Sequence, residues 1–375
     1  MLYFDNASTT IVEREVAEYV RNYLLFQYSN VSSPYISAQT VSENISIYRR
    51  LTSRIINAQC NEILFTSGAT ESINIAIKGI AQNYSAKGKH IVTVETEHKA
   101  VLETCKYLET IGYEISYLPV NNYGIVDLGL VESVIRSDTI LVCVMLVNNE
   151  TGVIQPIKEI SALAHYVGAF FMTDATQAFG KIEIDVNEMG IDILCLSGHK
   201  LYAPKGIGAL YIRQDPYKID IPTFIHGGGQ ERGIRSGTLN VPGIVGLGKA
   251  CEIAMERMKD DAEKIGSLRD LLEHELLTIP GTFVNGCTKN RLYNVTNICF
   301  PDTDANVLIG RLENIAVSNG SACTSAIMQP SHVLKAMGLS DEDCFGSIRF
   351  SLGRFNTEEE IHFVIRKFKE LFSMN

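Results

Sequence analysis

No stretch of this chain is long and apolar enough to span a bilayer. Its opening residues, Met1-Leu2-Tyr3-Phe4-Asp5-Asn6, lack the basic region followed by an apolar core that marks a secretory signal. A cytoplasmic protein is the expectation. Long Lys/Arg runs are missing as well, and the net charge is −10, which argues against direct nucleic-acid binding or attachment to an anionic membrane and in favour of small-molecule chemistry. The nine cysteines include no Cys-x-x-Cys pair and no His/Cys spacing of a zinc site. Reduced thiols are expected, with neither a disulfide framework nor a metal centre. There is no internal repeat and no low-complexity segment.

What is present is an alternation of short apolar runs and helical patterns over 375 residues, a length that suggests two domains. Apolar spacing predicts helices over 12–25 and 41–56, separated by a polar loop around Pro34. Strands are expected at 62–66, 90–94, 139–147, 169–173 and 193–197, most of them followed by a helix, which is the pattern of an α/β protein. A long amphipathic helix from 244 to about 277 leads out of this region. A near match to a phosphate loop at Gly243 and Gly248-Lys249-Ala250 lacks the hydroxyl and the preceding strand that such a loop needs, and is read as the start of that helix. Beyond Pro280, short strands and helices suggest a compact α+β unit.

Ligands of open α/β sheets lie beyond the carboxyl ends of the strands, so the polar residues at five such ends are candidates. After 193–197 comes Ser197-Gly198-His199-Lys200; an enclosed lysine amine loses its proton more easily and can form a Schiff base with a carbonyl such as that of pyridoxal phosphate. Thr66-Ser67-Gly68-Ala69-Thr70 offers hydroxyls and N–H groups to a phosphate at a helix start, or is simply a helix cap. Asp174 is either the partner of a pyridinium nitrogen or an N-cap, and Gln177 is near enough in sequence to reach the ring oxygen. His98 can stack or move protons, and Asn149 can donate to a cofactor, though each could also be structural. Cys143, Cys195 and Cys299 lie in apolar runs and read as core, whereas Cys323 sits among small residues where a thiol can ionise and attack. Cys287 and Cys344 are the other loop candidates. Arg349, in an expected strand at 347–352, calls for a carboxylate, either a substrate's or a structural one.

These residues lie in motifs that resemble the cysteine desulfurases within the class V aminotransferase family of fold type I pyridoxal phosphate enzymes. The motifs are Thr66-Ser67-Gly68-Ala69-Thr70-Glu71, Glu97-His98-Lys99, Val147-Asn148-Asn149-Glu150, Asp174-x-x-Gln177, Ser197-Gly198-His199-Lys200, Arg235-Ser236-Gly237-Thr238, Ser321-Ala322-Cys323-Thr324-Ser325, and the run from Ser347 to Phe355. The likeness is nearest to the housekeeping iron–sulfur cluster group. It implies a large domain of residues 15–255 with a mostly parallel sheet flanked by helices, and a smaller α+β domain of 1–14 and 256–375. It further implies that Lys200 carries the cofactor as a Schiff base, Asp174 pairs with the ring nitrogen, and His98 stacks on the ring and assists proton transfer. Asn149 and Gln177 would lie near the ring oxygen, with Asn149 also close to substrate. Ala69, Thr70, Ser197 and His199 would hold the phosphate, joined by Thr238 from the second subunit of a homodimer. Arg349 would take the carboxylate of free L-cysteine, and Cys323 would accept its sulfur as a persulfide, releasing L-alanine. The persulfide would pass to a protein acceptor in cluster assembly, tRNA thiolation or DNA modification.

Two departures stand out. Where the family commonly has Asn-Pro-Ser-Ser followed closely by His, this chain reads Asn30-Val31-Ser32-Ser33-Pro34-Tyr35, which suggests a different entrance; and Asn375 follows soon after the last expected helix, which suggests altered contact with a cluster scaffold. The rival functions are a pyridoxal phosphate aminotransferase, a selenocysteine lyase, or a catalytically silent partner protein that keeps the fold.

Overall fold

A computed structural model describes residues 1–320 and 329–373. The chain opens with β1 (Leu2–Tyr3), α1 (Arg14–Leu25) and α2 (Ile36–Arg54). Strands and helices then alternate through β2 (Ile63–Thr66), α3 (Ala69–Tyr84), β3 (His90–Val94), α4 (Lys99–Thr110), β4 (Glu114–Leu118), α5 (Leu128–Val134), β5 (Thr139–Cys143), α6 (Ile157–Tyr166) and β6 (Phe170–Asp174). β7 (Ile193–Ser197) and β8 (Gly208–Ile212) follow, and α7 (Val241–Leu276) leads to β9 (Phe283–Val284), β10 (Val295–Cys299), α8 (Ala305–Arg311), β11 (Ile315–Ala316), α9 (His332–Ala336), α10 (Asp341–Phe345), β12 (Ser347–Ser351) and α11 (Glu358–Ser373).

Seven strands form the main sheet in the order β2-β8-β7-β6-β5-β3-β4. β8 runs antiparallel to both its neighbours, and the other pairings are parallel. Every residue of β3, β5, β7 and β8 is buried, as expected where helices cover both faces of a sheet. Alternate side chains serve opposite faces. Val92, Val142, Leu194 and Leu196 join the core shared with α1, α2 and the first half of α7, while Ile91, Leu141, Ile193 and Cys195 join the core under α3 and α4. Strand order reverses at β3, which has β4 on one side and β5 on the other, so a crevice opens at the carboxyl ends of β3 and β5.

α7 ties this sheet to a second core. Ile244, Leu247 and Cys251 belong to the first, whereas Ile265, Leu268, Leu272 and Leu276 pack with Ile298, Phe350 and Phe368 of the three-stranded sheet β12-β10-β9 and α11. Phe4, from the opposite end of the chain, is fully buried in that second core.

The expected helix at 41–56 begins five residues earlier, at Ile36; exposed polar residues in its first turns mask the periodicity. The expected strand at 139–147 is shorter. Past Cys143 only β6 stays alongside, through Val144 N–H to Met172 C=O (3.0 Å) and Leu146 N–H to Asp174 C=O (3.1 Å), because β3 has ended at Val94. The glycines of the near phosphate-loop match, Gly243 and Gly248, lie inside α7. Among the described residues no helix is long and apolar enough to cross a membrane.

Candidate active site

The strand ends of the main sheet meet around a cavity of about 660 Å³. Ser67, Gly68, Ala69 and Thr70 after β2, His98 after β3, Asn149 after β5, Asp174 and Gln177 from β6, and Ser197, His199 and Lys200 from β7 all line it. Ala7 and Ser8, together with Ser318, Gly320 and Arg349 from the second core, close the remaining wall. Thr238 is the exception. It is exposed in its own chain and borders a smaller cavity that shares Ser67 and Gly206 with the first. Cys323 lies outside the described residues.

Lys200 ends a short 3-10 turn after β7. Its Nζ donates to the carbonyl of Ala7 at 2.7 Å and to that of Ser8. Burial, helped by the nearby Arg349 charge, pushes its pKa down to about 8, so far more free amine is present near neutrality than in a solvated lysine. Burial, reinforced by the charge of Lys200, pushes neighbouring His199 down to about 4. It is a neutral imidazole near pH 7, with Nδ1 at 3.1 Å from Thr9 Oγ1.

Asp174 is buried at the end of β6 and its Oδ1 accepts from Thr176 N–H at 2.9 Å. It thus stabilises a turn while its carboxylate also lines the cavity. Gln177 donates through Nε2 to Ala7 C=O (2.9 Å), the same carbonyl that Lys200 uses. Behind it, the buried Lys181 donates to Gln177 C=O at 3.0 Å, and burial, then the charge of Lys200, pushes this lysine to about 7. His98 caps α4, its Nδ1 accepting from Ala100 N–H at 3.1 Å; the proton of the neutral ring is therefore on Nε2.

α3 begins at the cavity with Ala69 and Thr70. Its first internal bond runs from Ser72 N–H to Gly68 C=O (3.1 Å), so the N–H groups of Ala69 and Thr70 have no helical acceptor and are suited to an anion. Glu71 braces this start: it accepts from Ser67 N–H (2.7 Å) and from Arg235 Nε (2.7 Å). Burial pushes its carboxyl up, but those two bonds overcome it and hold the pKa below the usual range.

Arg349 is 4% exposed. Its Nη1 donates to Asn149 C=O, and its Nη2 to Asp5 Oδ1 and Ser8 Oγ, each at 2.7 Å. A structural carboxylate is thus present, yet the buried Nε has no partner among the described residues. The thiols separate as well. Cys143, Cys195 and Cys299 are core residues, and burial pushes the first two well above the usual range and Cys299 to about 12. Cys344, expected in a loop, is buried in α10, and burial pushes it to about 11.

Sequence reasoning missed the carbonyls of Ala7 and Ser8, Lys181, and the buried Glu97 and Glu150. A carbonyl carries no side-chain signal. Glu97 and Glu150 stand beside His98 and Asn149 in motifs already noted, and that adjacency was the available clue.

A lysine amine with a lowered pKa, a buried carboxylate and unspent N–H groups at a helix start fit pyridoxal phosphate, and an arginine in the cavity wall fits an amino-acid substrate. The fold and this donor set define a fold type I pyridoxal phosphate enzyme. The chain belongs to the aminotransferase class-V family, whose model matches residues 2–364. It is 47% identical over 380 residues, covering 100% of this chain and 92% of the relative, to the cysteine desulfurase IscS of Ehrlichia chaffeensis. Among solved structures it is similar to a NifS-like protein, with TM-score 0.93, 36% identity and full coverage of both chains. Another is SspA in complex with cysteine, with TM-score 0.83, 36% identity, and coverage of 95% of this chain and 100% of that one.

Proposed function

We propose that this protein is a cysteine desulfurase that moves the sulfur of L-cysteine onto Cys323 and releases L-alanine. One observation carries the reading: Lys200, Asp174 and His98 share a cavity whose far wall includes Gly320, two residues before Ala322-Cys323 in the chain. Bound pyridoxal phosphate supplies an electron sink that stabilises negative charge at the substrate carbon and makes the substrate sulfur open to attack. Ala69, Thr70, Ser197 and His199 hold the phosphate, with Thr238 contributed by a second subunit. Asp174 keeps the ring nitrogen protonated, and Asn149 and Gln177 donate near the ring oxygen. Arg349 takes the substrate carboxylate. Lys200 Nζ takes the proton from the substrate Cα, and His98 Nε2 assists its transfer. The Cys323 thiolate then forms an S–S bond to the substrate sulfur as the Cβ–S bond breaks and its electron pair stays on Cβ; a proton added at Cβ and the return of a proton to Cα from Lys200 yield alanine.

Residues 15–255 form the large domain in this reading, and 1–14 with 256–375 the small one that carries Cys323. The enzyme works as a cytoplasmic homodimer and passes the persulfide to a protein acceptor. The test is Cys323→Ala: cofactor absorption is expected to stay intact while sulfide release from cysteine disappears. Undiminished sulfide release from that variant refutes the assignment.

A further inference from the structure

The turn that places Asn149 at the cavity carries an acidic side chain, Glu150, for which the proposed chemistry has no use. Glu150 is 3% exposed, and its backbone is held at both ends: the N–H donates to Asn148 Oδ1 (2.9 Å) and the C=O accepts from Asn297 Nδ2 (3.2 Å). Its Oε2 accepts from Ser331 Oγ at 2.5 Å. That hydroxyl also accepts from Leu334 N–H at 3.2 Å and so caps α9. The same oxygen also faces Gly320, where a Cβ would fall 2.5 Å from Oε2 and 3.1 Å from Cδ. Gly320 has φ +77°, so glycine is needed there both for its backbone conformation and for the room it leaves the carboxyl. Ser318, just before it, exchanges backbone bonds with Arg349 (3.2 and 2.6 Å). Among the described residues no cation lies within ion-pair distance of Glu150. Burial raises its pKa, against the Ser331 bond and the charges of His332, Arg349 and Lys99. An apolar side chain would avoid that desolvation cost, but it could not accept the Ser331 hydroxyl.

We propose that Glu150 is a positioning residue that anchors Gly320 and Ser331, on either side of residues 321–328, to the turn bearing Asn149, and so sets the reach of Cys323 to the substrate sulfur. This rests on Cys323 being the sulfur acceptor. The test compares Glu150→Ala, Glu150→Gln and Ser331→Ala holoenzymes. Glu150→Ala and Ser331→Ala are expected to keep the cofactor spectrum and its response to cysteine, while single-turnover persulfide on Cys323, read by mass spectrometry, slows ~10-fold or more. Subtilisin cleavage between Ser318 and Ser331 is expected to quicken about fivefold in both. Glu150→Gln, which keeps an acceptor of the same size, is expected to restore both readouts. Persulfide formation and cleavage at wild-type rates in the two alanine variants overturn the proposal. So does a parallel loss of the cofactor's spectral response, which would place Glu150 at the cofactor. A wild-type enzyme that forms no persulfide on Cys323 defeats the functional reading instead, and the cleavage rates still decide whether Glu150 anchors the two flanks.

Discussion

Single side chains divide the work through their surroundings. Lys181 is buried and Lys200 half-buried at the cavity, but only Lys200 lines it, while Lys181 supports the Gln177 backbone. Asp174 keeps one oxygen for its turn and presents its charge to the cavity. Asp174→Asn keeps the shape and removes that charge; the variant is expected to retain cofactor while turnover falls ~100-fold or more, a loss of about 3 kcal/mol of transition-state stabilisation. Steady-state kinetics beside the absorption spectrum checks it. Arg349 spans Asn149, Asp5 and Ser8 with a planar fork that an ammonium cannot reproduce. Arg349→Lys is therefore expected to raise KM for cysteine about tenfold with a smaller change in kcat, measured by alanine formation.

At the level of elements, the antiparallel β8 presses the helix start of α3 into place. A Cβ on Gly208, its first residue, would fall 2.5 Å from Leu196 C=O and 2.6 Å from Gly68 Cα. Both neighbours are backbone and cannot move aside cheaply. Gly208→Ala is expected to cost about 1–3 kcal/mol and to weaken cofactor retention by displacing Gly68-Ala69-Thr70, as urea denaturation and equilibrium dialysis would show. No polar motif ends Gly208-Ala209-Leu210-Tyr211-Ile212, and this short apolar run was not among the strands expected from the sequence. The neighbouring β7 was legible because its apolar run ends in Ser-Gly-His-Lys.

For the whole molecule, buried lysines make stability depend on pH. Burial, then the charge of Lys200, depresses Lys181 from 10.5 to about 7 in the folded chain. Above that value the unfolded chain binds a proton that the folded one lacks, so stability rises with pH from about 7 towards 10.5. Buried thiols with raised pKa act in the opposite sense once pH passes about 8.5. In the cofactor-free chain, the stability of wild type relative to Lys181→Met is expected to rise between pH 7 and 8.5, as urea titrations at several pH values would show. A constant difference would mean that Lys181 stays charged in the folded state.

The α/β class, the five polar strand ends and the cofactor were readable from the sequence, because apolar period and strand-end chemistry are local properties of the chain. Cys143, Cys195 and Cys299 were likewise legible as core. What only tertiary structure decided depends on residues far apart in sequence. The carbonyls of Ala7 and Ser8 face an amine almost two hundred residues away, Arg349 is occupied by Asp5 and Ser8, and Cys344 is buried in α10. Glu150 meets Gly320 and Ser331 only because the chain beyond residue 315 folds back onto the turn that follows β5. Burial and partner choice are set by which segments close over one another, and no local pattern encodes that.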